Sequence, residues 1–260
     1  MRISDISNLI YDAALALVYP QPCSVCGSSV EARADGVACA TCWNQTRIFN
    51  GDETICWKCG AEAPGDVPEE KRREVFCRRC DDEPFTAARA CGVYEGALRA
   101  SILSLKLEPH VGARLALLLL ETQQRKPLDS ATRIVPVPLH VSRLRERGFN
   151  QATELGRALA SLSGLPLDEW SLVRAKHTER HRAGMDAKSR RESVEDSFEV
   201  KHPRLIAGAT ILLIDDVFTT GSTVSACARV LKEEGAQDVF VLTVARPAAI
   251  KPISLIVSRP

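Results

Sequence analysis

Apolar and polar residues follow two different patterns along this chain, and the change comes near residue 85. Between residues 21 and 84, apolar residues are sparse and irregularly spaced. Beyond residue 85, short apolar runs rich in β-branched residues alternate with stretches of helical spacing. Strands that alternate with helices are typical of a parallel sheet joined by crossover helices. The pattern therefore predicts an α/β fold beyond residue 85 and a different kind of module before it.

The second pattern gives the expected elements. Strands are predicted at Ala88–Tyr94, Arg133–Pro138, Ile211–Ile214 and Val239–Ala245. Helices are predicted at Gly96–Leu105, Gly112–Gln123, Asn150–Leu162 and Val224–Glu234, the last of which Gly235 is placed to end. Residues 1–20 have apolar positions at helical spacing but lack a basic start and a small-residue cleavage site. They predict an N-terminal docking helix and not a signal peptide.

The strand at Ile211–Ile214 leads into the most informative polar cluster of the chain. Asp215 and Asp216 follow it, at the strand end where open α/β sheets bind ligands. Residues 219–223 then supply hydroxyls and unhindered N–H groups at a helix start, which favours an anion such as phosphate. A sugar phosphate fits both halves, because its hydroxyls donate to the carboxylates while its phosphate lies on the turn. The alternative is an acidic turn and a capped helix with no ligand.

Composition and charge narrow the class of protein. The chain has 260 residues, of which 45% are hydrophobic and 26% charged, and these are values of an ordinary globular protein. A formal net charge of +1 argues neither for nor against a nucleic-acid partner. The longest apolar run, Leu115–Leu120, is too short to span a membrane. We therefore expect no membrane span and a cytoplasmic protein.

The first 80 residues contain four Cys-x-x-Cys pairs. They are Cys23/Cys26, Cys39/Cys42, Cys56/Cys59 and Cys77/Cys80. A two-residue spacing lets both thiolates of one turn bind the same tetrahedral ion, so four pairs predict two structural Zn²⁺ ions. Grouping the first pair with the second and the third with the fourth closes the shorter loops, although a crossed arrangement and the loss of one site stay open. An iron–sulfur cluster, a redox pair and a disulfide framework are the other readings, the last without an export signal to support it.

The second half of this cysteine-rich segment is basic and carries aromatic residues nearby. The basic residues are Lys58, Lys71, Arg72, Arg73, Arg78 and Arg79, and the aromatic ones are Trp43, Trp57 and Phe76. Such a set can bind single-stranded nucleic acid through phosphate contacts and base stacking. The alternative is that the tryptophans form small cores and the charges are solvated, since acidic residues in the same region dilute the positive field.

Two further basic segments flank the predicted sheet. In the first, 136–151, a strand end is followed by Arg143, Arg145 and Arg147, which predicts a cationic loop that can neutralise a pyrophosphate. An exposed basic turn is the alternative. The second, 174–191, is polar and strongly basic with little apolar periodicity, and it predicts a lid or binding loop.

Three of these segments carry a resemblance to a known family. LIDDVFTTGST resembles the phosphoribosyl-pyrophosphate (PRPP) motif of type I phosphoribosyltransferases. Together with PVPLHVSRLRERGFNQA and the basic stretch that runs into Ser197-Phe198, it resembles the ComF (competence protein F) family, whose double zinc ribbon the four cysteine pairs match. The resemblance implies a zinc-ribbon module over 21–84 and a type I phosphoribosyltransferase domain over 85–260. The chain departs from the family at His181 and Ser193, which puts the choice of acceptor in doubt.

The resemblance also implies roles for individual residues. PRPP would be bound, with Mg²⁺ on its pyrophosphate, by Asp215, Asp216, Val217, Phe218, Thr219, Thr220, Gly221, Ser222 and Thr223. Asp215, Asp216, Arg143 and Arg147 would support transfer of the phosphoribosyl group to an undefined nitrogen acceptor. The family is linked to DNA uptake, so the second hypothesis is a non-catalytic competence factor. In it, the PRPP site senses or docks a ligand while the ribbons bind single-stranded DNA or a helicase partner.

Overall fold

A computed structural model describes residues 21–174, 198–248 and 255–257 of the protein. The expected helix over 1–20 lies outside the described residues, as do residues 175–197, which include His181, Ser193 and all of the second basic segment except Arg174. Within the described part, no helix is both long and apolar enough to cross a membrane.

The described elements alternate between strands and helices beyond the cysteine-rich segment. The strands are β1 (Val75–Cys77), β2 (Ala87–Val93), β3 (Arg133–Pro136), β4 (Leu172–Arg174), β5 (Phe198–Val200), β6 (Thr210–Val217), β7 (Asp238–Arg246) and β8 (Leu255–Val257). The helices are α1 (Ala40–Gln45), α2 (Gly96–Leu105), α3 (Ala113–Gln123), α4 (Val141–Arg147), α5 (Gln151–Ser163), α6 (Pro203–Ile206) and α7 (Ser222–Glu233). Short 3-10 helices lie at Arg33–Asp35, Glu69–Glu74, Arg78–Cys80 and Leu128–Ser130.

Four strands form a parallel sheet in the order β2-β7-β6-β3. This confirms the predicted α/β architecture with a parallel sheet and crossover helices. The eight predicted elements lie within a few residues of their expected bounds. One difference bears on the site: β6 continues past Ile214 to Val217, so Asp215 and Asp216 belong to the end of the strand itself.

The alternating side chains of β6 and β7 divide the core into two layers. Leu212 and Ile214 pack on one face with Leu119 of α3 and Leu155 of α5. On the opposite face, Leu213 belongs to one buried cluster with side chains of α7 and with Cys56, Cys59, Cys77 and Cys80, the four cysteines of the second ribbon. Each fully buried leucine or isoleucine of these layers contributes about 1.5–3 kcal/mol. The second ribbon is therefore part of the core that supports the sheet.

The cysteine-rich segment covers the free edge of β2. The backbone N–H of Val93 donates to the carbonyl of Arg47 (2.9 Å), and that of Ala88 donates to the carbonyl of Lys58 (2.7 Å). The approach is close, since a Cβ at Gly92 would lie 2.4 Å from the carbonyl oxygen of Arg47. The ribbon backbone thus satisfies edge groups that would otherwise face solvent.

Two small antiparallel sheets complete the fold. In one, β4 pairs with β5, and these strands flank residues 175–197. In the other, β1 pairs with β8, with Cys77 opposite Leu255. The second pairing ties a strand of the second ribbon to residues near the C-terminal end of the sequence.

Candidate functional site

The carboxyl ends of β3 and β6 face a cavity of about 240 Å³. Its lining includes Lys106, Arg147, Asn150, Asp215, Asp216 and Thr223. Parallel strands present their carboxyl ends at one edge, which explains why residues from such distant parts of the sequence meet here. The cavity is polar, and cations and carboxylates lie on the same wall.

Asp215 and Asp216 are both partly buried at the end of β6. The backbone N–H of Asp216 donates to Oδ1 of Asp215 at 2.9 Å. Burial, followed by the neighbouring charge of Asp216, raises the pKa of Asp215 to about 7, whereas Lys106 opposes the shift. A carboxylate held this way gains from hydroxyl donors, such as those of a sugar, since each donor stabilises its charged form.

Lys106 is the site residue that the sequence analysis missed. It directly follows α2, and its Nζ lies 3.8 Å from Oδ2 of Asp216. The predicted helix end at residue 105 was correct, but the position of that end relative to β6 depends on the strand order. In the sequence, Lys106 is recognisable only as a lysine that follows a predicted helix. The strand order then places this helix end at the ligand-binding edge of the sheet.

The turn at 218–223 joins β6 to α7. Thr219 and Thr220 are exposed, and the hydroxyls of Thr220 and Ser222 lie 2.9 Å apart. Gly221 has φ +83°, and a Cβ there would lie 2.9 Å from Cζ of the buried Phe218 ring. This position therefore needs glycine both for its backbone conformation and for space. The hydroxyls and the start of α7 thus come together in the turn where the sequence predicts a phosphate.

The arginines predicted on a cationic loop lie instead on a helix. Residues Val141–Arg147 form α4, which His140 caps through the N–H of Ser142 and which ends at Gly148 with φ +80°. Arg147 is partly buried and lines the cavity, whereas Arg143 is exposed on the helix surface and outside the cavity lining. The capping histidine and the left-handed glycine account for the helix, since both are terminal signals.

Asn150 and Gln151 complete the wall beside Arg147. The side chain of Asn150 donates to the carbonyl of Val137 (3.0 Å) and accepts from the N–H of Ala152, so it fixes the start of α5 against the end of β3. Gln151 is 4% exposed and also lines the cavity. Arg174, the first residue of the second basic segment, lines the same cavity.

The eight paired cysteines form two groups of four. Cys23, Cys26, Cys39 and Cys42 form one and Cys56, Cys59, Cys77 and Cys80 the other, with the sulfurs of each group within 4.8 Å of one another. This is the grouping that closes the shorter loops. Cys91 and Cys227 are buried and belong to neither group.

The spacing of the thiols fits zinc. Bond lengths of about 2.3 Å in a tetrahedral four-sulfur site place neighbouring sulfurs roughly 3.8 Å apart. The sulfurs of Cys26 and Cys39 are 3.7 Å apart, and those of Cys59 and Cys77 are 3.6 Å apart. Gly27 and Gly60 directly follow two of the pairs with φ of +78° and +68°, as tight metal-binding turns require. The donor set and the local turns therefore suit two structural zinc ions.

The aromatic residues of the cysteine-rich segment divide between core and surface. Trp43 is 2% exposed, and its Nε1 donates to the carbonyl of Asp35, so it forms the core of the first ribbon. Trp57 is partly buried, and the guanidinium groups of Arg73 and Arg89 lie 5.5 and 4.9 Å from its ring centroid. Phe76 is 37% exposed. The exposed cations near it are Lys71, Arg73, Arg78 and Arg79.

Comparison with known proteins gives matches over both parts of the chain. A model of the phosphoribosyl transferase domain matches residues 144–257, and one of the double zinc ribbon domain matches residues 14–93. The chain is similar to the DNA utilization protein YhgH of Salmonella typhimurium, with 30% identity over 240 residues that cover 88% of this chain and 99% of the relative. It is 27% identical to competence protein F of Haemophilus influenzae over 86% of this chain and 96% of the relative. It is 37% identical to competence protein ComFC of Bacillus subtilis over 102 residues, 39% of each chain.

Proposed function

Because this chain belongs to the ComF family, with a double zinc ribbon joined to a type I phosphoribosyltransferase fold, we propose that it binds PRPP and transfers the phosphoribosyl group to a nitrogen acceptor. The observation that carries the proposal is the juxtaposition of two carboxylates and a hydroxyl-rich turn at one strand end. Asp215 and Asp216 lie at the end of β6, and the turn at 218–223 leads from that strand end into α7.

The two halves of this cluster suit the two ends of a ribose phosphate. The carboxylates of Asp215 and Asp216 accept hydrogen bonds from the ribose hydroxyls. The N–H groups and hydroxyls of residues 219–223 bind the 5′-phosphate at the start of α7. The ribose separates the negative charges, so both interactions coexist in one ligand. PRPP is thereby held with its C1 directed into the cavity.

The reaction itself needs positioning and charge neutralisation. The acceptor nitrogen forms a bond to C1 while the bond from C1 to the pyrophosphate oxygen breaks, and pyrophosphate leaves with that electron pair. The acceptor then gives up its surplus proton to solvent. Mg²⁺, which arrives with PRPP, supplies charge on the pyrophosphate. Lys106 and Arg147 line the same cavity and add positive charge where the leaving group departs.

Titration calorimetry with Mg²⁺ and PRPP tests the proposal. The wild-type chain is expected to bind, and the Asp215→Asn/Asp216→Asn double variant to lose measurable binding. Asp129→Asn is the matched control, because Asp129 is exposed in the short helix before β3, at the opposite end of the sheet. Unchanged affinity in the double variant would sink the site assignment. A pyrophosphate-release screen over bases and amines then identifies the acceptor class.

A second candidate function is supported by the ribbon surface. Exposed Arg73, Arg78 and Arg79 lie in the same segment as Phe76, which is 37% exposed. Such a surface suits single-stranded DNA, and relatives of the chain carry names that refer to DNA utilization and competence. In this candidate the PRPP site acts as a ligand sensor. Salt-sensitive single-strand binding without pyrophosphate release for any acceptor would favour it over catalysis.

A further inference from the structure

The second ribbon reaches the turn at 218–223 through Arg246. This residue ends β7, and its Nη1 donates to the carbonyl of Cys59, a member of the second cysteine cluster, at 3.0 Å. Its guanidinium carbon also lies 5.6 Å from the centroid of the Phe218 ring. One side chain therefore joins the metal-binding turn at Cys59 to the first residue of the phosphate turn.

Phe218 connects Arg246 to the rest of the turn, because its ring contacts both Arg246 and the position of Gly221. Its ring is 8% exposed and lies directly beneath Gly221. Phe85, which follows the last cysteine of the second cluster, packs edge-on against it with centroids 6.0 Å apart. Since Arg246 and Phe85 both contact the ring, the ring has little freedom to shift, and neither has the glycine above it.

A second connection links the same ribbon to the start of α7. The carboxylate of Glu83 accepts a hydrogen bond from the hydroxyl of Ser225. The N–H of Glu83 donates to the carbonyl of Cys80 (3.2 Å), and the N–H of Ser225 donates to the carbonyl of Gly221 (2.8 Å). The path from a cluster cysteine to the turn thus runs through two residues. It is independent of the path through Arg246.

The first ribbon contacts a different part of the molecule. Thr46, at the end of α1, accepts from the N–H of Ala97 at the start of α2 (2.8 Å). Arg114 of α3 pairs with Asp35 at 2.9 Å and lies 5.0 Å from the ring centroid of Trp43. Among the described hydrogen bonds and ring contacts, none joins the first ribbon to residues 218–225. The two ribbons therefore have separate neighbours.

Arg246 also supplies positive charge beside the second cysteine cluster. Four thiolates around one Zn²⁺ leave a net negative charge, which buried cations compensate. Two cations lie beside this cluster: Arg89 is 9% exposed, and the partly buried Arg246 donates to the carbonyl of Cys59 at 3.0 Å. Arg89 donates to the carbonyl of Trp57 (2.9 Å) within the same ribbon. Only Arg246 of this pair also contacts Phe218.

We propose that the second zinc ribbon braces the phosphate turn and that Arg246 is the positioning residue that joins the two. The inference rests on the proposed PRPP function only in so far as the braced turn is taken to bind the phosphate of PRPP. Its physical content, a turn whose order depends on the second ribbon and not on the first, stands without PRPP. The second ribbon is thus an internal support of the binding site as well as a separate metal module.

Hydrogen–deuterium exchange across residues 218–225 tests the brace in the full-length chain without ligand. Arg246→Lys keeps the charge but loses the planar guanidinium, and Phe85→Leu removes the ring contact. Each is expected to speed exchange across the turn and to weaken PRPP binding about tenfold, the effect of one lost contact of this kind. Arg114→Lys is the matched control, since Arg114 likewise combines a polar contact, an ion pair with Asp35, with a ring contact on the first ribbon.

Three results would overturn the brace. One is unchanged exchange across residues 218–225 in both the Arg246→Lys and Phe85→Leu proteins. Another is an equal change in the Arg114→Lys protein, which would indicate general loosening. The third is loss of zinc from the Arg246→Lys protein, since unfolding of the ribbon would then explain the effect. If the wild-type chain fails to bind PRPP, the proposed function falls while the exchange data still decide the brace.

Discussion

The ammonium nitrogen of Lys106 lies 3.8 Å from Oδ2 of Asp216, and this pair joins the end of α2 to the end of β6. The side chains are 33% and 24% exposed, so the pair stabilises the fold little, by about 0–1 kcal/mol. Its importance is local. A cation is held beside two carboxylates at the edge of the cavity, where the proposed reaction would release an anionic leaving group.

Replacement of Lys106 therefore separates ligand binding from stability. Lys106→Met is expected to weaken binding of Mg²⁺ and PRPP about tenfold, because one charge-assisted contact is lost, and to leave urea unfolding nearly unchanged. Lys232→Met is the control, since Lys232 forms a similar pair with Asp238 (3.6 Å) at the opposite end of β7. Equal losses of affinity in both variants would remove Lys106 from the site.

The raised pKa of Asp215, about 7, predicts a pH dependence of binding. A protonated carboxyl accepts hydrogen bonds from ribose hydroxyls poorly, so PRPP affinity is expected to rise as pH increases from 6 to 8. Calorimetry of the wild type measures this rise. The ligand phosphate also titrates near pH 6. The pH profile of the Asp215→Asn variant, which lacks the carboxyl group, measures the part of the pH dependence that comes from the phosphate. A wild-type profile identical to that of the variant would contradict the prediction.

The raised pKa of Asp215 also affects the stability of the folded chain. Whereas PRPP affinity is expected to rise with pH, the free energy of unfolding is expected to fall. The ordinary pKa of 3.8 applies in the unfolded chain, whereas the folded chain keeps the proton up to about pH 7. The folded state binds more protons in this interval, so the contribution of Asp215 to the free energy of unfolding falls as pH rises through it. Asp215→Asn is expected to stabilise the protein, and more at pH 8 than at pH 6, in urea denaturation. A variant less stable than the wild type at pH 8 would disprove this account.

Substitution of two glycines separates the effect of backbone strain from that of a steric clash, because both have a left-handed backbone and only one has a close neighbour. Gly221 has φ +83°, and a Cβ added there would lie only 2.9 Å from the Phe218 ring, whereas Gly164 has φ +73° with open space around it. Alanine at either position is expected to cost about 1 kcal/mol of stability through its left-handed backbone. Only Gly221→Ala is expected to lose PRPP binding as well, because the turn must shift away from the ring. Calorimetry and urea unfolding of both variants measure the difference.

The zinc content of the purified protein tests whether each ribbon binds one zinc ion. Elemental analysis of the wild type is expected to give two zinc ions per chain, one for each four-cysteine cluster. Cys77→Ser is expected to lose one of them and to unfold at lower urea concentration, because Cys77 is fully buried in the second cluster. Cys227→Ala, which alters a buried cysteine outside both clusters, keeps two. Iron in place of zinc, or full zinc content in Cys77→Ser, would contradict this prediction.

Much of the fold follows from local pattern, because it depends on neighbouring residues. The buried runs at Ile211–Ile214 and Val239–Ala245 predict strands, and the spacing of the cysteines predicts their turns. The order of the strands did not follow: β2 is the first strand of the sheet in the sequence, yet it pairs with β7, the last. No local signal encodes that pairing, which requires the core to close over both faces.

The candidate site divides in the same way. Asp215, Asp216 and the glycine of the turn were recognisable because their chemistry is contiguous with a strand and a helix start. Lys106 was not, since its role depends on where α2 ends in space. The helix that carries Arg143 and Arg147 was missed for a different reason. Its seven residues are too few for apolar periodicity, and only His140 and Gly148 mark its ends.

The pairing of β1 with β8 has a consequence for the order of assembly during synthesis. The strand that carries Cys77 is made early, and its partner at Leu255–Val257 emerges from the ribosome only after the whole parallel sheet. The four cysteines can bind metal before then, but β1 pairs only with a strand about 180 residues further along the chain. Contacts so distant in sequence form late. The second ribbon is thus begun early and completed late, and fragments that stop short of residue 255 would leave β1 with an open edge.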